Sequence, residues 1–531
     1  MDSQSRISGS ESTFYNPQSE INVGRYLKLS LFATGFAGIV AEFVLATLAS
    51  YLIGNPILQW TLVMSLMFFA MGVGSRISKY LHNYLLDIFI CIEFLLSIFC
   101  ATSALISYSV IPYTTHTSLI IYTIALIIGL FIGMEIPLVT RINDSYESLK
   151  ANISSVMESD YYGALAGGLV FAFFALPKLG LTYTPIAVGI INFSIAGILL
   201  WRFHHLIEYK NLLKYSFAAI SAFMLVLLVL IKPIMLYGEQ NRYRDKIIFS
   251  KQTKYQKIVV TQWKDYHWLY INGHVQFSSY DEERYHEPLV HPAMLLSPSP
   301  ESVLILGGGD GLAVKEVLKH KQVKQITIVD IDPAMTDIAK THPVFRKLNE
   351  ESMSNSKVQI VNQDAYKFLQ KSEDLYDVII IDLPDPNSIQ LARLYSRGFY
   401  TLCKNHLTKF GVIVTQSTSP LYTKKAFLTI IKTMEAVGIT VVPYHNQIPT
   451  MGEWSWNLGV RGELISGEEL KGKVQQLDFA SISTRFLNQD AMISMVHFGK
   501  GIFDTEEELE VNTELNPVLD QYYREGSWAL Y

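Results

Sequence analysis

The hydrophobic residues of this chain are concentrated in its first half. Seven apolar stretches, each close to the roughly 20 residues that a helix needs to cross a hydrocarbon layer, are separated by short turns such as Gly54-Asn55-Pro56. They lie near residues 26–53, 57–73, 85–111, 119–139, 162–181, 185–201 and 215–236. We therefore predict a multi-span α-helical membrane domain of about seven helices over residues 25–238, after a polar N-terminal tail of residues 1–24.

A different pattern begins after residue 238, where charged residues become frequent. Short β-branched and aromatic runs, with the turn signal Asn272-Gly273, predict a small β-hairpin unit over residues 247–300. Alternating strand-like and helix-like runs then predict an α/β, doubly wound domain over residues 301–500. Residues 501–531 are predicted to form a C-terminal tail.

Composition narrows the classes of function. Half of the 531 residues are hydrophobic, which is more than a soluble protein usually carries and favours a multi-pass protein of the cell membrane, in contact with the lipid bilayer. The net charge of −5 offers no basic surface, so we expect no nucleic-acid partner. The three cysteines, Cys91, Cys100 and Cys403, lack the paired spacing of a metal or disulfide site.

The most specific local pattern is a strand, a glycine-rich turn and a helix. An apolar run, Val303–Leu306, enters Gly307-Gly308-Gly309-Asp310-Gly311 and is followed by a helix-periodic segment. In Rossmann-like folds this geometry brings a nucleoside ligand against bare backbone and a helix N-terminus, so Gly307 and Gly309 are predicted binding residues. A glycine turn alone is weak evidence, because close backbone packing also selects glycine.

Acidic residues follow four successive predicted strands. They are Asp310, Asp330, Asp364 and the pair Asp382 and Asp385. Ligands bind at the carboxyl ends of strands in an open parallel sheet, so these side chains are predicted to converge on one crevice, with Asp330 on the ribose hydroxyls. Any one of them could instead cap the following helix, but four caps in succession are a weaker explanation.

A crevice lined by carboxylates favours a cationic ligand. It repels phosphates, and the chain has no glycine-rich loop ending in Lys-Ser or Lys-Thr. A sulfonium nucleoside and a polyamine are the expected small-molecule partners. Alkyl transfer requires an ammonium to lose a proton first, so we predict Asp382 as the base and Asp385 as the partner of an ammonium group. The competing interpretation is a proline-stiffened turn with solvated acids.

Two residues that precede the sheet, Tyr285 and His286, are candidates for a wall or lid over the crevice. The competing interpretation, a core tyrosine and a hydrogen-bonded core histidine, has about equal weight for His286.

In order and spacing, these motifs resemble those of spermidine synthases, the polyamine aminopropyltransferases. The matching segments, within about residues 253–459, are Lys254-Tyr255-Gln256, Gln276, Asp281–Glu287, Gly307–Gly311, Asp330–Asp332, Gln363-Asp364-Ala365 and Asp382–Pro386. The resemblance implies a fold of the S-adenosylmethionine-dependent methyltransferase type. It implies decarboxylated S-adenosylmethionine as donor co-substrate, without a prosthetic group or metal, on Gln256, Asp310, Asp330, Asp364 and Ala365. It also implies an amine side formed by Tyr285, His286, Asp310 and Asp385, with Asp382 as proton acceptor.

The implied reaction is aminopropyl transfer to a polyamine such as putrescine, giving spermidine and 5′-methylthioadenosine. One alternative is a methyltransferase that uses intact S-adenosylmethionine, and another is a non-catalytic membrane sensor or transporter of polyamines. Asp310 favours the decarboxylated donor, because it attracts a free ammonium and repels a carboxylate.

Soluble members of the family carry Pro-Thr-Tyr-Pro where this chain has Pro449-Thr450-Met451, so a hydroxyl expected in the amine site is missing.

The apolar half contains Gly133–Pro137 and Asp160–Leu165, which resemble segments of the membrane-attached branch of that family. Its carboxylates Glu42, Glu93 and Glu135 either pair within the domain or bind a substrate or a proton.

Alternate loops rich in Lys and Arg predict a cytoplasmic N-terminus. Seven crossings would then place the α/β domain outside, although a cytosolic donor requires it inside, so the side is left open. A homodimer is a possible assembly.

Overall fold

The computed structural model describes residues 17–54, 56–110, 116–144, 148–505 and 508–527. The chain divides into two compact units between Arg244 and Asp245. We call the first the helical unit and the second the α/β unit. Residues 1–16 of the predicted N-terminal tail and residues 506–507 and 528–531 of the predicted C-terminal tail lie outside the described residues.

The described part of the helical unit is built from α-helices joined by short connections. In chain order they are α1 (Pro17–Ile53), α2 (Pro56–Ser78), α3 (Leu85–Val110), α4 (Thr117–Asn143), α5 (Leu149–Val170), α6 (Gly180–Arg202) and α7 (Lys210–Gln240). A π-helical segment, Phe171–Leu179, joins α5 to α6. The predicted apolar stretches coincide with these helices, except that the fifth continues through the π-helical segment.

Six helical stretches in the described residues are long and apolar enough to cross a membrane. One of them, Lys150–Arg202, contains 53 residues and would be about 80 Å long as a single straight helix, whereas a hydrocarbon core is about 30 Å thick. It contains α5, the π-helical segment and α6, and Gly180 at its centre has a φ of +64°. This stretch includes two of the seven predicted spans, so the number of crossings stays a prediction.

The helices of this unit pack closely where glycines face a neighbouring backbone. A Cβ atom on Gly163 would lie 1.9 Å from the carbonyl oxygen of Phe32, and one on Gly167 would lie 2.6 Å from that of Phe36. Helices α5 and α1 therefore touch backbone to backbone, as small residues allow in helix pairs of membrane proteins.

The three carboxylates of the apolar stretches are buried in the helical unit. Within the described residues, neither oxygen of Glu93 and only one oxygen of Glu135 has a hydrogen-bond partner, which is the Thr34 hydroxyl. Glu93 and Glu135 are close enough to interact electrostatically, but no hydrogen bond joins them within the described residues. Glu42 also has one oxygen without a described partner.

The α/β unit begins with a four-stranded antiparallel sheet. Its strands are β1 (Lys246–Gln252), β2 (Lys257–Trp263), β3 (Tyr266–Ile271) and β4 (His274–Ser278), in that order across the sheet. Asn272 and Gly273 join β3 to β4 with φ angles of +52° and +88°, the left-handed pair that a two-residue hairpin turn requires. The predicted β-hairpin unit is confirmed.

A seven-stranded sheet follows, with helices on both faces. Its strands are β5 (Ser302–Gly307), β6 (Gln325–Asp330), β7 (Val358–Asn362), β8 (Tyr376–Asp382), β9 (Leu407–Gln416), β10 (Ile439–Ile448) and β11 (Gly452–Arg461). The helices are α8 (Glu283–Leu296), α9 (Leu312–Leu318), α10 (Pro333–Thr341), α11 (Pro343–Leu348), α12 (Ala365–Lys371), α13 (Ile389–Ala392), α14 (Arg397–Asn405), α15 (Lys424–Glu435), α16 (Gly467–Gln475), α17 (Gln489–Met495) and α18 (Val518–Arg524). Short 3₁₀ helices lie at Ser352–Ser354 and Arg393–Tyr395.

The strand order of this sheet is β10-β11-β9-β8-β5-β6-β7, and the five strands from β9 to β7 are parallel. The chain leaves β5 for β6 on one side and later returns to β8 on the other side, so the winding direction reverses between β5 and β8. In doubly wound sheets the ligand crevice lies at this reversal, outside the carboxyl ends of the strands. The predicted α/β class is confirmed.

The segment predicted as a C-terminal tail contains α18, which packs in the core beside the large sheet. Leu519 is fully buried in one apolar cluster with Phe399 and Ile430. The buried Asn512 fixes the preceding chain, because its side-chain amide donates to the carbonyl of Ala392 at 2.7 Å. The end of the chain is therefore tied to α13, a few residues after Asp385.

Candidate active site

The glycine-rich turn lies directly against the ends of two neighbouring strands. Gly307 and Gly308 have φ angles of +85° and +61°, and the Gly308 N–H donates to the carbonyl of Asp382 at 2.9 Å. A Cβ on Gly307 would lie 2.0 Å from that oxygen, and a Cβ on Gly309 would lie 2.4 Å from Oδ2 of Asp330. Both predicted glycines are thus required where the turn touches β8 and β6.

Asp330, at the end of β6, is positioned by its own loop. Its Oδ1 accepts from the Asp332 N–H at 2.8 Å, and its Oδ2 lies beside Gly309. Burial, with a smaller contribution from Asp332 and Asp310, raises the pKa of Asp330 to about 6. The loop that carries Gln256 is fixed nearby by the Thr253 hydroxyl. This hydroxyl lies 3.1 Å from the carbonyl oxygen of Gln256 and donates to Oδ2 of Asp332 at 2.8 Å.

Asp310 and Asp364 each make the hydrogen bond of a helix start. Asp310 accepts from the Leu312 N–H at 2.8 Å, and Asp364 accepts from the Lys367 N–H at 2.9 Å. Strand β7 ends at Asn362 and not at Asp364, whose Oδ2 pairs with Arg393 at 2.8 Å. The capping interpretation therefore holds for one oxygen of Asp364, whereas the N-cap of α9 is Gly311 and Asp310 precedes it. Ala365 follows directly as the first residue of α12 and is buried.

Asp382 lies among the residues predicted for the amine side. The Tyr285 hydroxyl donates to Oδ1 of Asp382 at 2.8 Å. Burial raises the pKa of Asp382 to about 6; the charge of His286 acts against this shift, and that of Asp310 adds to it. A carboxylate with this pKa is close to the range in which a general base works best at neutral pH.

His286 is buried and carries the charge that balances these acids. Its Nδ1 contacts Oε2 of Glu282 at 3.0 Å. Burial alone would lower its pKa, but the hydrogen bond and charge of Glu282, with Asp310 and Asp382, raise the pKa of His286 to about 9. Lys315 contacts the other oxygen of Glu282 at 2.5 Å. At neutral pH the histidine is therefore a cation beside the two aspartates.

Asp385 is the second acid of the loop after β8. Its Oδ2 accepts from the Tyr523 hydroxyl at 2.8 Å, and its Oδ1 faces the Gln416 amide at 3.3 Å. Burial raises the pKa of Asp385 to about 6 in spite of these two hydrogen bonds. The Gln416 amide also donates to the carbonyl of Leu383 at 2.8 Å, which fixes the loop.

The structure therefore brings most of the predicted site residues together at the reversal between β5 and β8. Tyr285, His286, Asp310, Asp330, Asp382 and Asp385 form one set of hydrogen-bonded or electrostatically interacting groups. Asp364 lies at the same sheet edge, because Asp330 pairs with Asn362 in the β6–β7 register.

Four further residues of the site were not predicted from the sequence. Glu282 raises the pKa of His286 and is itself paired with Lys315, and Gln416 and Tyr523 donate hydrogen bonds to Asp385. Glu282 lies inside a quoted motif and could have been found by its i, i+4 spacing to His286. Tyr523 lies 138 residues after Asp385, and no local sequence signal connects the two.

The fold and these residues define a class, a Rossmann-like transferase with an acidic crevice for a cationic nucleoside donor. A model of the spermine/spermidine synthase domain matches residues 282–468. The chain is 41% identical over 507 residues to "Polyamine aminopropyltransferase 2" of Aquifex aeolicus, covering 95% of this chain and 99% of that protein. It is 38% identical over 502 residues to a polyamine aminopropyltransferase of Leptospira interrogans, covering 94% and 97%.

A crystal structure of a spermidine synthase in complex with the transition-state analogue AdoDATO is also similar, with 25% identity, a TM-score of 0.44, and coverage of 48% of this chain and 87% of that chain. The near-complete matches to the two curated relatives decide the family. The chain belongs to the polyamine aminopropyltransferases, the spermidine synthase family, and is an enzyme of that type. The predicted resemblance is confirmed, and it extends over the helical unit, because the Aquifex match covers 95% of the chain.

Proposed function

We propose that this enzyme transfers the aminopropyl group of decarboxylated S-adenosylmethionine to an amine such as putrescine, giving spermidine and 5′-methylthioadenosine. The observation that carries the proposal is the clustering of Asp310 and Asp382 beside a protonated His286, with Asp385 and Asp382 both acting on Tyr285. The donor is consumed as a substrate, so the reaction needs no prosthetic group.

The donor side is proposed to bind both the ribose and the aminopropyl ammonium of the donor. Asp330 binds the ribose hydroxyls, and the glycine turn lets the sulfonium lie against backbone. Asp310 pairs with the free ammonium of the aminopropyl chain and discriminates against a donor that retains its carboxylate. Gln256, Asp364 and Ala365 complete the nucleoside side.

The transfer is a displacement at carbon. Asp382 takes one proton from the attacking ammonium, and the freed nitrogen lone pair forms a bond to the aminopropyl carbon that is attached to sulfur. The carbon–sulfur bond breaks, and its electron pair stays on sulfur, so the positive sulfonium becomes a neutral thioether. The Tyr285 hydroxyl, which donates to Asp382, orients the carboxylate, and the His286 charge keeps it ionised.

Product analysis tests this function against its alternatives. Purified full-length protein is incubated with decarboxylated or intact S-adenosylmethionine and a panel of amines, and products are identified by mass spectrometry. Aminopropylated amine and 5′-methylthioadenosine, formed only with the decarboxylated donor, are expected. A methylated amine from the intact donor would indicate a methyltransferase, and saturable binding of amine without any product would indicate a sensor or transporter.

We also propose that the helical unit lies in the cell membrane, with the lipid bilayer as its surroundings. Its six long apolar stretches support this location. The expected homodimer is measurable by light scattering of the detergent-solubilised protein, and a monomer mass after subtraction of detergent would contradict it.

A further inference from the structure

The acceptor side contains a residue from the far end of the chain. Tyr523 in α18 is 7% exposed, and its hydroxyl donates to Oδ2 of Asp385 at 2.8 Å. The spermine/spermidine synthase domain ends its match at residue 468, so α18 lies outside the segment that the family model describes. An element beyond the matched domain thus contacts an acid of the proposed amine site.

The position of α18 is fixed by hydrogen bonds and by buried apolar contacts. The Arg397 N–H donates to the carbonyl of Asn512 at 2.8 Å, and the Asn512 side chain donates to Ala392 at 2.7 Å. Leu519, one turn before Tyr523, is fully buried against the large sheet. The packing of Leu519 and the hydrogen bonds of Asn512 therefore position the Tyr523 hydroxyl next to Asp385.

The contact supplies a tyrosine hydroxyl, the group that is missing at Met451. Met451, where a tyrosine was expected, is buried in the apolar cluster that contains Tyr285 and supplies no hydroxyl. A phenol that donates to a carboxylate keeps its oxygen lone pairs, so Tyr523 and Asp385 together present several acceptor sites to an ammonium. The pair repeats the arrangement of Tyr285 and Asp382.

We propose that α18 is part of the acceptor site, and that Tyr523 with Asp385 binds the non-reacting ammonium of a diamine. This inference rests on the proposed function. The reacting nitrogen lies at Asp382, and the second ammonium of the acceptor is held at Asp385. The substrate class is then a diamine or longer polyamine, and a monoamine lacks the group that this pair recognises.

The test compares putrescine with n-butylamine, which has the same carbon chain but no second ammonium. For Tyr523→Phe we expect KM for putrescine to rise about tenfold with little change in kcat, as for the loss of one hydrogen bond to a charged group. The value of kcat/KM for n-butylamine and KM for the donor stay unchanged. Tyr522→Phe, an adjacent tyrosine with no contact to Asp385 among those described, is the matched control and should behave as wild type.

Three outcomes would overturn the inference. They are an unchanged KM for putrescine, an equal loss for both amines, and an effect of Tyr523→Phe that persists in full when Asp385→Asn is already present. An equal loss would assign Tyr523 a purely structural role, which thermal unfolding of the variant would also reveal. If wild type makes no aminopropylated product, the proposed function fails; if wild type is active and the variant discriminates as wild type does, only this inference fails.

Discussion

Asp382 combines burial, a phenol hydrogen bond and a neighbouring imidazolium in one carboxylate. The Tyr285 hydroxyl donates to Oδ1, and Oδ2 accepts no hydrogen bond from the described part of the chain. The His286 charge partly offsets the cost of keeping this group ionised while buried beside Asp310. These neighbours suit a group that must be anionic before the reaction and neutral after it.

Replacing this carboxylate should remove the proton transfer and leave the donor site intact. For Asp382→Asn we expect kcat to fall about 10²- to 10⁴-fold, the range that general bases contribute. Binding of decarboxylated S-adenosylmethionine, measured by calorimetry, should stay within a few-fold of wild type. Asp337→Asn, at a surface position of α10, serves as control. An Asn variant with full turnover would exclude Asp382 as the base.

The acid side of the pH profile should report two carboxylates. Burial raises the pKa of both Asp382 and Asp385 to about 6, and both must be ionised, one to take a proton and one to bind an ammonium. At saturating donor, which occupies Asp330, the value of kcat/KM for the amine should therefore fall below pH 6 with a slope steeper than one proton. It should rise at higher pH as the amine approaches its own pKa of about 10.

Asp385→Asn separates the two titrations, because it removes one of them. The remaining acid limb should have a slope of one, with a lower absolute rate. A profile that is flat between pH 5 and 7 in wild type would contradict both assignments.

At the scale of elements, helices α8 and α9 are joined by a buried set of charges. Glu282 lies between His286 and Lys315, and Glu316 lies between His291 at 2.9 Å and Lys319 at 2.6 Å. Burial acts to raise the pKa of Glu282, but His286 and Lys315 outweigh it and lower this pKa. Glu282 therefore has oppositely charged neighbours on both sides, and removing its charge leaves His286 and Lys315 buried without this partner.

We expect Glu282→Gln to destabilise the α/β unit by about 3–5 kcal/mol, the cost of breaking a buried pair on one side. Urea unfolding of the detergent-solubilised protein measures this. The Glu301–Lys324 pair is largely exposed, so Glu301→Gln should cost no more than about 1 kcal/mol. Equal effects of the two substitutions would show that burial of the network contributes nothing.

The same variant should change the pH dependence of stability. The pKa of His286 is raised to about 9, above its unfolded value of about 6.5, so its contribution is complete below pH 6.5 and is lost as the pH rises through 9. Wild type should lose stability over this interval, and Glu282→Gln should lose much less. An identical alkaline decline in both would contradict this source of the His286 charge.

Elements also determine how much of the site could be predicted from the sequence. Asp310, Asp330 and Asp382 follow apolar runs, so their positions at strand ends are local information. The same holds for the turn at Asn272-Gly273, whose conformation two residues decide. Tyr523 reaches Asp385 only because α18 packs beside the sheet, and such a long-range contact leaves no periodic signal. Asp364 shows a second limit. Strand β7 ends at Asn362 and helix α12 is capped by Asp364, and the sequence does not distinguish a strand end from a helix cap two residues later.

At the scale of the whole molecule, the two units have different surfaces. Large apolar side chains are exposed on the helical unit, among them Phe69 at 67%, Phe173 at 79% and Val229 at 73%. In water each would cost about 25 cal/mol per Å² of apolar surface, so contact with lipid or with another protein would stabilise this surface. The α/β unit packs most of its large apolar residues into its own clusters, with exceptions such as Phe410 at 57% and Leu515 at 99% exposure.

Extraction from cells tests this difference directly. The full-length chain should sediment with membranes, resist an alkaline carbonate wash, and enter solution only with detergent, because its helices are long enough to span a hydrocarbon core. A chain beginning at Asp245 should remain in the supernatant without detergent and retain a compact core, which limited proteolysis can follow. Release of the full-length chain by carbonate alone would place the helical unit on a membrane surface or in a protein complex. Sedimentation of the shortened chain would instead locate a membrane anchor within the α/β unit.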